Sequence, residues 1–496
     1  MAYDASFLTG SDSTAVDPIS SNYHHNEQAI ASLNDEHIII QIDDGKLINA
    51  MEAYDQTVEL SSALKDSARR GEKMNDSSYR LLKISLGKII KKSKIGFDDL
   101  PAMESLDKNT QRELTIVMEN VVTDAIKSIW EKIKNTFIAM HNKIKTWFIR
   151  AFDGAGKLIG QAEALKSRAE NMSSATAKNT SFEMSGVKFL NMGGKVANPQ
   201  EIGTGVADIA GVTDVLLSKN AESYNKMFTR IEQILKETIE QAKAMKDSDA
   251  TVKEKTEGEA KPETMNEAFS GNMVAQGGAI GSATNSAGVR VQASGESNKL
   301  LGGIFSVNFN MAKAAGIDVK GGKELKDERW SGGKLFAYRN PKDFLGGIML
   351  VAAFPAGGVD TVESYADFKN GFKIAPEPIV NPPKELDDKG TFATAPPTLV
   401  IGICENTISS CNTLMQYKLL FEARDKNTGN LMKQMEQYVS ANSNLKGVGQ
   451  THIKNSITAT VAIIKKQQDG ETRWAKYAFS VLNKAILYCR NSLAQY

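Results

Sequence analysis

Residues 111–152 (QRELTIVMENVVTDAIKSIWEKIKNTFIAMHNKIKTWFIRAF) contain neither Pro nor Gly, and this run limits what the chain can become. Ile126, Ile129, Trp130, Ile133, Phe137, Met140, Ile144, Trp147 and Phe148 recur at steps of three and four, which places them on one stripe of a helix. Lys127, Glu131, Lys134, Asn142 and Lys145 fall off that stripe. Such a helix is a rod of ~60 Å at 1.5 Å per residue. A rod this long needs a partner helix, a second subunit or a lipid surface to cover its apolar side. Ile126, Trp130, Ile133, Phe137, Ile144, Trp147 and Phe148 are therefore the candidate assembly face.

The rest of the chain fits a helix-dominated α+β protein with several units, as 496 residues exceed one core. Residues 1–104 read as an acidic N-terminal segment, with a structureless tail over 1–30. A β-branched run follows at Ile38–Ile42, then one helix beyond Asp44 and another over 77–92. Residues 105–175 read as a long helical hairpin that turns at Asp153-Gly154-Ala155-Gly156. Residues 176–246 are mixed: polar and Gly-rich, with a strand-like run at 182–192, then a helix from about 212. Residues 247–300 form a charged, then Gly/Ser-rich linker. The span 301–403 is a small β-containing unit, with strands expected at Phe305–Phe309, Lys334–Tyr338, Ile348–Phe354, Tyr365–Ile374 and Thr398–Ile403. Residues 404–496 read as a C-terminal helical bundle, with helices from Glu405 and at about 427–441, 449–467 and 471–495.

Charge is near balance overall (+1) but unevenly placed. Up to Leu60 there are eleven acidic residues against one Lys; residues 1–104 carry −6 and the remainder +7. A near-neutral total argues against a dedicated nucleic-acid binder. Cys404, Cys411 and Cys489 lack metal-type spacing and read as reduced core thiols of a cytoplasmic protein. The polar N-terminus has no secretory pattern, and the longest apolar run (346–358) contains Pro355 and is too short to span a bilayer.

Motifs for chemistry are weak. FDGAGKL (152–158) approaches a phosphate loop but has Ala151 where the first Gly belongs and Leu158 where a Ser/Thr would bind magnesium. His24, His25, His37, His141 and His452 are scattered, and His141 reads as a packing or rim residue beside the stripe. No catalytic residue, metal site or cofactor is assigned, and a non-enzymatic protein is expected. Lys127, Lys132, Lys134, Lys143, Lys145 and Arg150 beside Trp130 and Trp147 suit either a solvated face or contact with lipid or phosphate.

The order of segments adds a resemblance. LNDEHIIIQIDDGKLINAMEAYD, a helical pair, the connector LPAMESL and the long helix resemble the internal head (inner body) proteins of large tailed bacteriophages, over roughly residues 30–170. That resemblance implies a virion structural protein of the capsid interior, made in the host cytoplasm and trimmed by a prohead protease that cuts after small-x-Glu. Its partners would be other head proteins, the protease, further copies of itself and, without sequence preference, packaged DNA. Ala102-Met103-Glu104 fits the cleavage pattern, with Ser105 as the new N-terminus. Ala50-Met51-Glu52, Ser181-Phe182-Glu183, Ser294-Gly295-Glu296 and Gly322-Lys323-Glu324 fit it too. Glu104 stands out through its Pro101-containing connector and its place at the charge step. The alternative is a membrane-active or self-associating protein working through residues 111–170.

Overall fold

The computed structural model describes residues 45–54, 56–61, 63–64, 76–93, 111–222, 225, 229, 232, 334–339, 344–355, 373–378, 386–442 and 448–496. The tail 1–30, the run Ile38–Ile42, the Ala102–Ser105 site, the linker 247–300, the Phe305–Phe309 strand and most of Tyr365–Ile374 lie outside these residues.

Six helices and seven strands are described. Helix α1 comprises the described residues 45–54, 56–61 and 63–64; α2 is Asp76–Ser93 and α3 Gln111–Asn171. Strands β1 (Ser181–Ser185), β2 (Asn191–Met192) and β3 (Lys195–Val196) precede α4 (Pro199–Asp214). The chain leaves α4 through a π-helical turn, Val215–Asn220. Strands β4 (Lys334–Arg339), β5 (Ile348–Pro355) and β6 (Lys373–Pro378) form an antiparallel sheet in that order. Strand β7 (Lys389–Ala393) leads into α5 (Pro397–Asn442), and α6 (Val448–Leu493) closes the chain.

Helix α3 is the axis, and at 61 residues it is a rod of ~90 Å. The turn expected at Asp153–Gly156 does not occur: the helix runs straight through, so there is no hairpin. Gly154 is used for close approach instead. A Cβ there would lie 2.5 Å from Cζ of Phe479 on α6, so the missing side chain admits the ring.

Helix α5 lies antiparallel to α3, since Lys134 pairs with Glu436, Lys145 with Asp425 and Lys166 with Glu405. Helix α6 runs parallel to α3: His141 meets Gln468, and Arg168 reaches the Leu493 carbonyl. The four C-terminal helices expected from the pattern are two, α5 and α6, each 46 residues long.

Thr398–Ile403 is helix and not strand. Pro397 opens α5, and the Leu399 and Val400 amides donate to the Pro396 carbonyl. Val400, Ile403, Cys404 and Thr407 are all buried at helical spacing, so packing overrides the strand preference of the β-branched Val400, Ile403 and Thr407.

Strand β1 pairs antiparallel with β7, Ser181 opposite Ala393, and so ties the end of α3 to the start of α5. Gly193 and Gly194, at φ 59° and 81°, make the β2–β3 turn. Helix α4 begins earlier than the helix expected from 212. Its capping box is complete: Asn198 Oδ1 accepts from Glu201 N–H (2.9 Å), and Asn198 N–H donates to Glu201 Oε2 (2.8 Å). One contiguous apolar core contains residues from Leu47 to Leu493. A second, smaller cluster joins α1, α2 and the start of α3.

Candidate functional site

The candidate assembly face is occupied within the chain. Trp130, Ile133, Phe137, Ile144, Trp147 and Phe148 are all buried, and Ile126 is half-buried between the two clusters. Tyr54 of α1 sits 6.0 Å from Trp130. Phe148 stacks into an aromatic group with Tyr417 (5.0 Å) and Phe421 (5.1 Å) of α5. The partner that the rod needs is therefore its own chain. Among the described side chains of α3, the large apolar ones left exposed are Ile138 and Ile149. The lysine face is partly consumed as well: Lys134 bridges Glu131 and Glu436, which raises its pKa, and Lys145 pairs with Asp425 at 2.5 Å.

Two polar nodes interrupt this apolar seam. In the first, Arg424 of α5 and Glu471 of α6 form a fully buried ion pair. Arg424 donates through Nη1 to Glu471 Oε2 and through Nη2 to Oε1 (3.0 Å). Tyr417 Oη donates to Oε2 (2.5 Å), and Gln467 Nε2 to Oε1 (2.5 Å). Arg424 Nε donates to Asn225 Oδ1, carrying the network toward the helical residues that follow α4. Burial disfavours the Arg424 cation, but the Glu471 carboxylate and the Tyr417 oxygen outweigh it and lift the Arg424 pKa further. Burial also pushes the Tyr417 phenol well up, so it stays a donor.

In the second node, His141 of α3 lies between the rings of Phe137 (6.5 Å) and Phe421 (5.8 Å). Gln468 Nε2 donates to His141 Nδ1 at 2.7 Å, leaving Nε2–H to donate to Asp425 Oδ1 at 2.7 Å. Burial lowers the His141 pKa; Asp425 opposes this, while the charges of Arg424 and Lys145 add to it. For Asp425, burial pulls the carboxyl pKa up, but hydrogen bonds from Lys145 and His141 bring it below its ordinary value.

These nodes suit positioning more than turnover. Every polar atom around Glu471 named above is spent on another protein atom, whereas in the second node Gln468 Oε1 is buried without a hydrogen-bond partner. Among the described residues no three His, Cys, Asp or Glu side chains gather to hold a metal ion. No helix among them is long and apolar enough to cross a membrane. Cys404, Cys411 and Cys489 are free and buried.

A family model of phiKZ-like phage internal head proteins matches residues 30–491 of the chain. No curated protein and no solved structure matches it.

Proposed function

The chain belongs to the family of phiKZ-like phage internal head proteins, and from that premise we propose that it is matured by a prohead protease that cuts after Glu104. Membership makes it a structural component of the virion head interior, associated with other head components. The finer reading is a non-enzymatic body made in the host cytoplasm and enclosed with the head proteins.

The charge difference across the cut supports the cleavage reading. Residues 1–104 hold −6 and the remainder +7, with the acidic excess concentrated before Leu60. A mature body of net positive charge suits an enclosure shared with DNA, where contact to phosphates is electrostatic and independent of sequence.

Intact-mass and N-terminal peptide mapping of the protein from purified particles tests this. An N-terminus at Ser105 is expected. Particles whose only form begins near Met1 would sink the cleavage reading while leaving family membership untouched.

A further inference from the structure

Helices α1 and α2 lie on the N-terminal side of the cut, yet their described residues are built into the fold. In α1, Leu47, Met51, Tyr54 and Val58 follow helical spacing and all four are buried. Tyr54 packs on Trp130 of α3. Leu64 of α1 joins Leu86 and Ile90 of α2 in a buried cluster with Val121, Val122 and Ala125 of α3. On the α3 side, Val121, Val122, Ala125, Ile129 and Trp130 are each at most 2% exposed. Anchors at i, i+4, i+7 and i+11 laid against an apolar surface are the pattern by which amphipathic helices bind grooves in other proteins.

We propose that α3 between Val121 and Trp130 is a docking surface for the helix pair α1 and α2, and that it holds this pair in trans once the chain is cut. This rests on the cleavage reading above. The cut removes one peptide bond and none of these contacts. What it removes is the linkage, which supplies an effective concentration of about 1 mM. The immediate product of the cut is then a complex of two pieces, an intermediate that still carries the uncut chain's charge. The acidic front stays with the basic body until a second event, such as further cleavage within α1 or α2, removes it.

The test uses the full chain with a site-specific protease sequence in place of residues 102–105, digested to completion and passed over a sizing column at about 1 μM with mass detection. At that concentration, co-elution requires a dissociation constant below about 1 μM. Both pieces are expected in one peak at the mass of the uncut chain, in equal amounts. An N-terminal piece that elutes alone overturns the proposal.

A second chain carrying Met51→Asp and Tyr54→Asp locates the surface. After digestion its pieces are expected to separate, and pieces that still co-elute would overturn the assignment to the α1–α3 contact. The engineered site makes both results independent of the natural protease. Failure here and failure of the cleavage reading are thus told apart: particle mapping reports on the cut, and the sizing column on the docking.

Discussion

Glu471→Gln tests whether the buried ion pair is a keystone of the α5–α6 seam. The side chain keeps its shape and loses its charge. Four hydrogen bonds converge on the carboxylate, two on each oxygen, from Arg424 (twice), Tyr417 and Gln467. In the amide one oxygen becomes a donor, so two of the four donors face another donor. Arg424, which is fully buried, is left without a counter-charge. Removing one partner of a buried pair costs about 3–5 kcal/mol, and the orphaned donors place this variant in that range.

A chain of 496 residues need not unfold in one step, so the assay should be local. Native-state hydrogen exchange of peptides covering 414–428 and 464–475 reports the opening free energy of the seam itself. The expected result is a loss of about 3–5 kcal/mol there, with peptides from α2 unchanged. Arg424→Met and Glu471→Met should each cost a similar amount. Arg424→Met with Glu471→Met should cost less than the sum of the two single losses by at least about 2 kcal/mol, because no charge is then stranded. A single-variant loss below about 1 kcal/mol, or additive losses, would show that water reaches the pair and that it is no keystone of the seam.

Three further outcomes are expected. The lowered pKa of His141 means that the folded state binds its proton less readily than the unfolded chain, whose value is about 6.5. The His141 contribution is therefore complete above about pH 6.5 and is lost as pH falls toward the lower folded value. His141→Leu should flatten the pH dependence of thermal stability over that window, and an unchanged slope would remove His141 as its source. Asp425, also lowered, contributes above its ordinary 3.8 and is lost only below it, so Asp425→Asn should act equally at pH values well above that. Gly154→Ala should destabilise by about 1–3 kcal/mol through overpacking on Phe479, whereas Gly156→Ala, with open space around it, should stabilise by about 0.5–1 kcal/mol; melting midpoints that move the same way in both would refute the close-approach role of Gly154.

What could be read from the residues, and what could not, divides along physical lines. The stripe on α3 was legible residue by residue, and its members are buried. Periodicity says that a face is covered without saying by what, so the covering helices α1, α5 and α6 were not legible. The resemblance stated over residues 30–170 extends over 30–491. Glycine misled at 153–156, because Gly signals both a turn and a close approach, and only Phe479, far along the chain, decides between them. Thr398–Ile403 misled because a β-branched run reads as strand until Pro397 and the buried side are considered together. Helix α4 was missed since Gly203, Gly205 and Gly211 dilute its pattern, although Asn198-Pro199-Gln200-Glu201 spells its start. The polar nodes were hidden most deeply. Arg424, Glu471 and Gln467 look like ordinary solvated helix residues, and His141 read as a packing or rim residue proves buried.

The nodes answer a difficulty that the stripe itself creates. Two helices of 61 and 46 residues with continuous apolar seams can pack in several registers, because sliding by one turn, about 5.4 Å, returns apolar groups to apolar groups. Hydrophobic burial barely separates such alternatives, since it is non-directional. Polar pairs do separate them. A one-turn slip would break Lys134–Glu436, His141–Asp425 and Lys166–Glu405 together. A slip of α6 against α5 would strand both Arg424 and Glu471 in apolar surroundings. The ion pair adds little net stability over an apolar substitute and much discrimination against wrong registers. That discrimination is what the pair contributes to the packing of α5 on α6, and the strong coupling expected between Arg424 and Glu471 is its measurable sign.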